Sequence, residues 1–139
     1  MNFDKVWDTS TGNGVIVAVL DTGLKIEHQD FCEDGADACS WDSFANSNIV
    51  TPYDTVDNVA TSYFQSEYPG EDYDGIDNEP DDISGHGTHV SGIIGALYNN
   101  KGTIGAAYGA QIMPIRVMYI YCCDSDGAIT SGGLSLIHI

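Results

Sequence analysis

Positive charge is scarce in this sequence. Four Lys and Arg residues stand against 21 Asp and Glu in a chain of 139, giving a formal net charge of −17. Phosphate backbones are held by clustered cations, and the basic residues here are scattered from Lys5 to Arg116, so no nucleic acid partner is expected. Long apolar runs are missing as well. The longest, residues 15–20, is far short of the ~20 residues that cross a bilayer, and no membrane partner is expected. The opening Met-Asn-Phe-Asp-Lys lacks the charged and apolar regions of a secretory signal. Cysteine is limited to Cys32, Cys39, Cys122 and Cys123, too few and too irregular for a disulfide-built miniprotein and without the paired spacing of a zinc site. Cys32 and Cys39 flank a short acidic loop and could bridge, whereas the adjacent Cys122 and Cys123 would look to separate partners. A disulfide would favour an oxidising compartment.

What is present suits one globular domain. A hydrophobic share of 42% can fill a core, and 16 glycines with mostly acidic charge indicate a loop-rich surface that attracts cations, metal ions first. Residues 15–20, Val-Ile-Val-Ala-Val-Leu, are β-branched and continuous, which predicts a strand buried on both faces. Upstream, Phe3, Val6 and Trp7 have the spacing of a short helix, and residues 40–44 predict a weaker strand. Val90, Ile93, Ile94 and Leu97 follow helical spacing, while Ser91, Gly92, Gly95 and Ala96 form a small-residue face suited to close packing. Residues 99–102 are expected to end that helix. Residues 112–118 predict another buried strand in which Pro114 is discordant. Strand, helix, strand in that order signals an α/β layer fold. The acidic stretch 53–84 has too few aliphatics to bury itself and reads as a long surface excursion. The last six residues, 134–139, break the pattern and match what a sequencing-library end would encode if read through as protein, so the expected domain covers 1–133.

Two features carry chemistry. Asp21 stands at the carboxyl end of the first strand, where α/β folds expose functional groups. Gly85-His86-Gly87-Thr88-His89-Val90-Ser91-Gly92 sets a histidine at a helix start between glycines that admit a close backbone or substrate. There the helix dipole disfavours imidazolium and keeps the ring ready to accept a proton, while a carboxylate on its other nitrogen would fix the tautomer. Zinc held by His86 and His89 with Asp21 is the rival arrangement, but the glycines around His86 and the Asp-Thr-Gly turn favour an acid–base pair. His89 and His28 read as structural, His89 hydrogen-bonded inside the fold.

Val17-Ala-Val-Leu-Asp-Thr-Gly23 and His86-Gly-Thr-His-Val-Ser-Gly92 together resemble the aspartate and histidine motifs of subtilisin-like serine proteases. His28-Gln-Asp-Phe31 is similar to that family's His-Pro-Asp-Leu, and residues 105–118 are similar to the strand after the histidine helix. The resemblance implies a three-layer α/β fold, a parallel sheet with helices on both faces, and a secreted serine endopeptidase. In it Asp21 would orient the imidazole and His86 would act as general base and then acid. It implies a polypeptide substrate, added as a strand beside Gly127, Ala128 and Ile129, and a propeptide as a further partner. It also implies a structural calcium ion, with Asp30, Asn99 and the carbonyls of Leu97, Lys101 and Thr103 as ligands. The acidic run 71–82 offers a second, weaker calcium candidate at Asp72, Asp74 and Asp77; its Gly75 is misplaced for an EF-hand. The family's nucleophile lies in a Gly-Thr-Ser segment and its oxyanion donor is a downstream asparagine. Neither is found in these residues, so the chain reads as the amino-terminal half of a catalytic domain, inactive alone. The alternative is a non-catalytic acidic calcium-binding or interaction module with a protease half-fold.

Overall fold

The computed structural model describes residues 4–33, 39–56, 75–121 and 130–132, the last stretch and 119–121 by backbone alone. In chain order these form α1 (Asp4–Trp7), β1 (Ile16–Asp21), β2 (Tyr53–Asp54), α2 (His86–Gly95), β3 (Gln111–Arg116), β4 (Tyr119–Tyr121) and β5 (Thr130–Gly132). β1, β3 and β2 make a parallel sheet in that spatial order, and β4 and β5 pair antiparallel. Helix α2 connects into the central strand β3 and packs on the sheet, as expected of an α/β layer fold.

The core gathers Val19, Leu24, Ile26, Phe31, Ile49 and Ile112, with Val17, Trp41, Phe44, Val90 and Ile94 packed against it. Cys32 and Cys39 lie in the same core and are joined by a disulfide. Cys122 and Cys123 fall outside the described residues. The expectation that residues 15–20 are buried on both faces is not met. Ile16 and Leu20 are 57% and 55% exposed, whereas Val19 is buried. The pleat sends alternate side chains to opposite faces, and α2 covers one of them.

Helix α2 ends at Gly95, earlier than the expected stop at 99–102. Its last carbonyls are taken by the incoming loop: Ala106 N–H donates to Ile93 O, Ala107 N–H to Ile94 O and Gly105 N–H to Ala96 O, at 2.8–2.9 Å. These bonds satisfy the orphan acceptors of a helix terminus, and Ala96 turns to an extended conformation. The small-residue face of the helix is the deeply buried one, through Gly87, Ser91 and Gly95, while Ile93 is exposed. The strand expected at 40–44 is a tight turn, in which Ser40 and Ser43 bond each other in both directions. Trp41 and Phe44 then point into the core from a single loop.

Pro114 sits in the central strand without disrupting it. The amides of Gln111, in β3, and of Val117, just after it, face β1, and that of Ile112 faces the other side. The missing N–H of Pro114 therefore points between the bridge at Ile49 and the start of β2, where Thr51 turns the chain aside at φ +41°.

Register places Asp21, Arg116 and Asp54 side by side across the carboxyl ends of the three strands. Arg116 and Asp54 form a fully buried ion pair, Nη1 to Oδ2 at 2.7 Å. A buried pair broken on one side leaves an uncompensated charge, which costs more than the pair contributes. Asp54→Asn is expected to lower the unfolding free energy in urea by about 3–5 kcal/mol. The double replacement Asp54→Leu with Arg116→Met should lose less than that single change. Equal or greater loss in the double variant would show that the pair itself is a net source of stability.

Candidate active site

Asp21, the last residue of β1, and His86, the first of α2, meet at the top of the sheet. His86 Nδ1 lies 2.7 Å from Asp21 Oδ1. The approach depends on absent side chains. A Cβ on Gly87 would strike the backbone of Gly23 and come within 3.1 Å of Asp21 Cβ. Gly23 in turn holds φ +114°, a conformation closed to most residues, with the backbone of Pro80 and Asp81 against it.

The start of α2 has no capping side chain of its own, because its N-cap is Gly85. Asp82 supplies the cap from three residues earlier. One oxygen accepts from Gly85 N–H and from Thr22 Oγ1, the other from Thr88 N–H and Thr88 Oγ1, at 2.6–2.9 Å. Thr22 Oγ1 also accepts from Gly87 N–H at 2.9 Å. A buried carboxylate thus ties the residue after Asp21 to the turn that carries His86. Sequence reasoning passed over Asp82 and Thr22, although an acidic residue just ahead of a helix start is a capping signal.

Asp21 is buried and its Oδ1 also accepts from Thr22 N–H at 2.7 Å, while the His86 side chain is 66% exposed. Hydrogen bonding to Asp21, then the Asp21 charge, raise the His86 pKa above its ordinary 6.5; burial opposes this and the Asp82 charge adds to it. The expected carboxylate partner is thus in place on Nδ1, and it acts on the ring in the sense opposite to the helix dipole. The pair can hold a proton on Nδ1, between ring and carboxylate, while Nε2 stays available to exchange one.

His89 does not lie inside the fold as expected. It is exposed and, with Lys25, His28, Phe31, Ile93 and Ile104, lines a cavity of about 750 Å³ beside α2 that excludes His86. One turn of helix sends the two histidines to different surfaces. His28 is held locally, its Nδ1 accepting from Asp30 N–H at 3.3 Å.

Of the residues expected to bind calcium, Asp30 is hydrogen-bonded to Leu97 and Thr103, and Asn99 to Lys101. Asp30 is buried and accepts from Thr103 N–H and, at 2.7 Å, Thr103 Oγ1. Leu97 N–H donates to Asp30 O, Asn99 Nδ2 donates to the carbonyls of Gln29 and Cys32, and Lys101 N–H donates to Asn99 Oδ1. A carboxylate, an amide oxygen and loop carbonyls are oxygen donors of the kind calcium takes; in this structure the Asp30 oxygens and Asn99 Oδ1 are met by N–H and O–H groups of the same loop. Asp77 is elsewhere: its carbonyl accepts from Asp54 N–H and its Oδ1 from Glu79 N–H, in a turn beside β2. Asp72 and Asp74 lie outside the described residues, as do Gly127, Ala128 and Ile129. Among the described residues no three His, Cys, Asp or Glu side chains cluster as a metal site.

With this geometry in view, comparison with known proteins is decisive: the sequence profile of the Subtilase family matches residues 12–137. The chain belongs to the subtilase family. It is 33% identical over 132 residues to an extracellular protease of Xanthomonas campestris, covering 85% of this chain and 20% of that protein. It is also 33% identical to an extracellular basic protease of Dichelobacter nodosus, covering 93% of this chain and 21% of the relative. A solved protease structure from Pseudoalteromonas arctica superposes with a TM-score of 0.60 at 34% identity, over 84% of this chain and 33% of that one. The chain therefore spans about a fifth of the length of these two sequence relatives.

An unfolded histidine titrates near 6.5 and His86 above it, so the Asp21–His86 contact contributes its full stability below the unfolded value. That contribution is lost as pH rises through the folded pKa. NMR titration of the His86 ring is expected to give a midpoint above the ordinary value, moved down in Asp21→Asn. An unchanged midpoint in that variant would show that the carboxylate is not the cause.

Proposed function

We propose that this chain carries the aspartate and histidine of a subtilisin-type serine endopeptidase, with the nucleophilic serine outside these 139 residues. The observation that supports this reading is the 2.7 Å contact of a buried Asp21 with an exposed His86. With Nδ1–H donated to the carboxylate, Nε2 can take the proton of a serine hydroxyl as it attacks a peptide carbonyl. The same nitrogen then delivers that proton to the departing amine. Asp21 stabilises the imidazolium formed between these steps, in line with the raised pKa of the ring. Asp82 and Thr22 act through His86 by holding its turn against β1.

Export belongs to the same reading: two relatives are named extracellular proteases, and the Cys32–Cys39 disulfide suits an oxidising compartment. No described helix is long and apolar enough to cross a membrane. Polypeptides are the proposed substrates, with a propeptide as a second partner.

The 139-residue chain is expected to hydrolyse no peptide substrate. The product of the reading frame extended downstream should do so, and should react covalently with a fluorophosphonate at a serine in a Gly-Thr-Ser segment. In that product Asp21→Asn should lower kcat on the order of 10⁴-fold, and His86→Ala should abolish turnover. An extended product that folds but is neither labelled nor active would overturn the proposal.

Calcium is proposed as a structural ion of the 97–103 loop, held by Asp30, Asn99 and the carbonyls of Leu97, Lys101 and Thr103. It would neutralise a buried carboxylate and stiffen the loop against the end of α2. Free calcium at a hundred times the dissociation constant should stabilise the fold by about 2.7 kcal/mol, read as a rise in Tm over a chelated sample and lost in Asp30→Asn. Superimposable melting curves with calcium and with chelator would sink it.

A further inference from the structure

A helix ordinarily satisfies its leading N–H groups with a Ser, Thr, Asp or Asn at the N-cap. In α2 that position is Gly85, at φ +80° and with no side chain to offer. Part of the capping is made instead across the gap to the residues that follow β1. Gly87 N–H donates to Thr22 Oγ1 at 2.9 Å, and in the opposite direction Lys25 N–H donates to Thr88 Oγ1 at 2.9 Å. Both hydroxyls donate to one carboxylate, Thr22 Oγ1 to Asp82 Oδ1 at 2.8 Å and Thr88 Oγ1 to Asp82 Oδ2 at 2.6 Å. We propose that the hydroxyl groups of Thr22 and Thr88, crossed at Asp82, are positioning groups that align the His86 ring on Asp21 for proton transfer.

Proton direction makes the arrangement specific. An ionised carboxylate accepts and cannot donate, whereas a hydroxyl has one proton and two lone pairs. Each threonine proton therefore points at Asp82, and each oxygen is left to accept one backbone N–H from the other element. Thr22, Asp82 and Gly87 are buried, so water is not at hand to replace a missing partner. Serine can make the same bonds. Valine, which has the shape of threonine, can make none.

The crossed bonds supply what steric contact does not. Gly87 against Gly23 limits how near α2 and β1 come, but it resists neither separation nor rotation. A capping side chain on Gly85 would satisfy helix N–H groups and still leave α2 free to shift along the strand. Bonds running in both directions between the elements oppose that shift. The His86 side chain is largely exposed, so its aim depends on its backbone turn and on Asp21. Thr22 serves both, because its N–H donates to Asp21 Oδ1 while its hydroxyl holds the turn of His86. The inference rests on the protease reading only where turnover is measured; the aim of the ring is a property of these residues.

The test is NMR of the His86 ring in the 139-residue chain, with valine and serine placed at each position and the fold checked by near-UV circular dichroism. In Thr22→Val and Thr88→Val the Nδ1–H resonance, carried downfield by its bond to Asp21, is expected to move upfield, and the His86 midpoint to fall toward that of Asp21→Asn. Asp21 and Asp82, the charged groups that bear on the ring, stay in place in all these variants, so the fall reports alignment and not removal of charge. Thr22→Ser and Thr88→Ser should keep the original resonance and midpoint. In the extended product the valine variants should lower kcat roughly tenfold with KM unchanged, and the serine variants should not. Valine variants with an unaltered resonance and midpoint would overturn the inference, as would losses that serine shares. Thr88 is only partly buried, so Thr88→Val decides the matter if Thr22→Val does not fold. An inactive extended product that shows these ring shifts would sink the protease reading and leave the alignment standing. An active one whose valine variants match the parent in ring shift and kcat would do the reverse.

Discussion

The amino end of α2 rests on the carboxyl end of β1 with no side chain between them, and the rest of the site depends on that approach. Gly87 against Gly23 brings two backbones together where any Cβ would hold them apart. The consequence is a hydrogen bond between residues 65 positions apart in sequence. Helix dipole, tautomer and exposure all act on His86, but only after the glycines have set its distance from Asp21. Asp82 then makes the arrangement rigid, since four donors from both elements converge on one buried carboxylate. A carboxylate with its lone pairs filled in this way resists displacement and keeps the turn in register.

The acidity of the chain has more than one structural meaning. Asp54 neutralises the buried Arg116, Asp82 caps a helix, Asp30 closes the 97–103 loop and Asp81 holds a tryptophan ring. Each stands where hydrogen-bond donors are concentrated, so desolvation is offset locally. The surplus of negative charge on the surface attracts cations without specificity.

Much of the architecture was legible in the residues. The run at 15–20, the helical spacing after His86 and the apolar segment at 112–118 correspond to β1, α2 and β3, because hydrophobic periodicity reflects which face is covered. The reading failed where a distant segment supplied the deciding contact. Ile16 and Leu20 look as core-like as Val17 and Val19, yet only one face of β1 is covered by α2. The helix stops at Gly95 because residues 105–107 take its carbonyls, which nothing at residues 95–96 announces. His89 carries no local mark of its exposure.

Composition, spacing and local chemistry were enough to assign an α/β fold, to pick Asp21 and His86, and to see that glycines around the histidine admit close contact. These depend on residues near one another in the chain, whose preferences act before the fold forms. The buried pairing of Arg116 with Asp54 and the capping of α2 by Asp82 were decided by tertiary structure alone. Each joins groups that only strand register or loop packing brings within a few ångströms, and such encounters leave no periodic trace in the sequence.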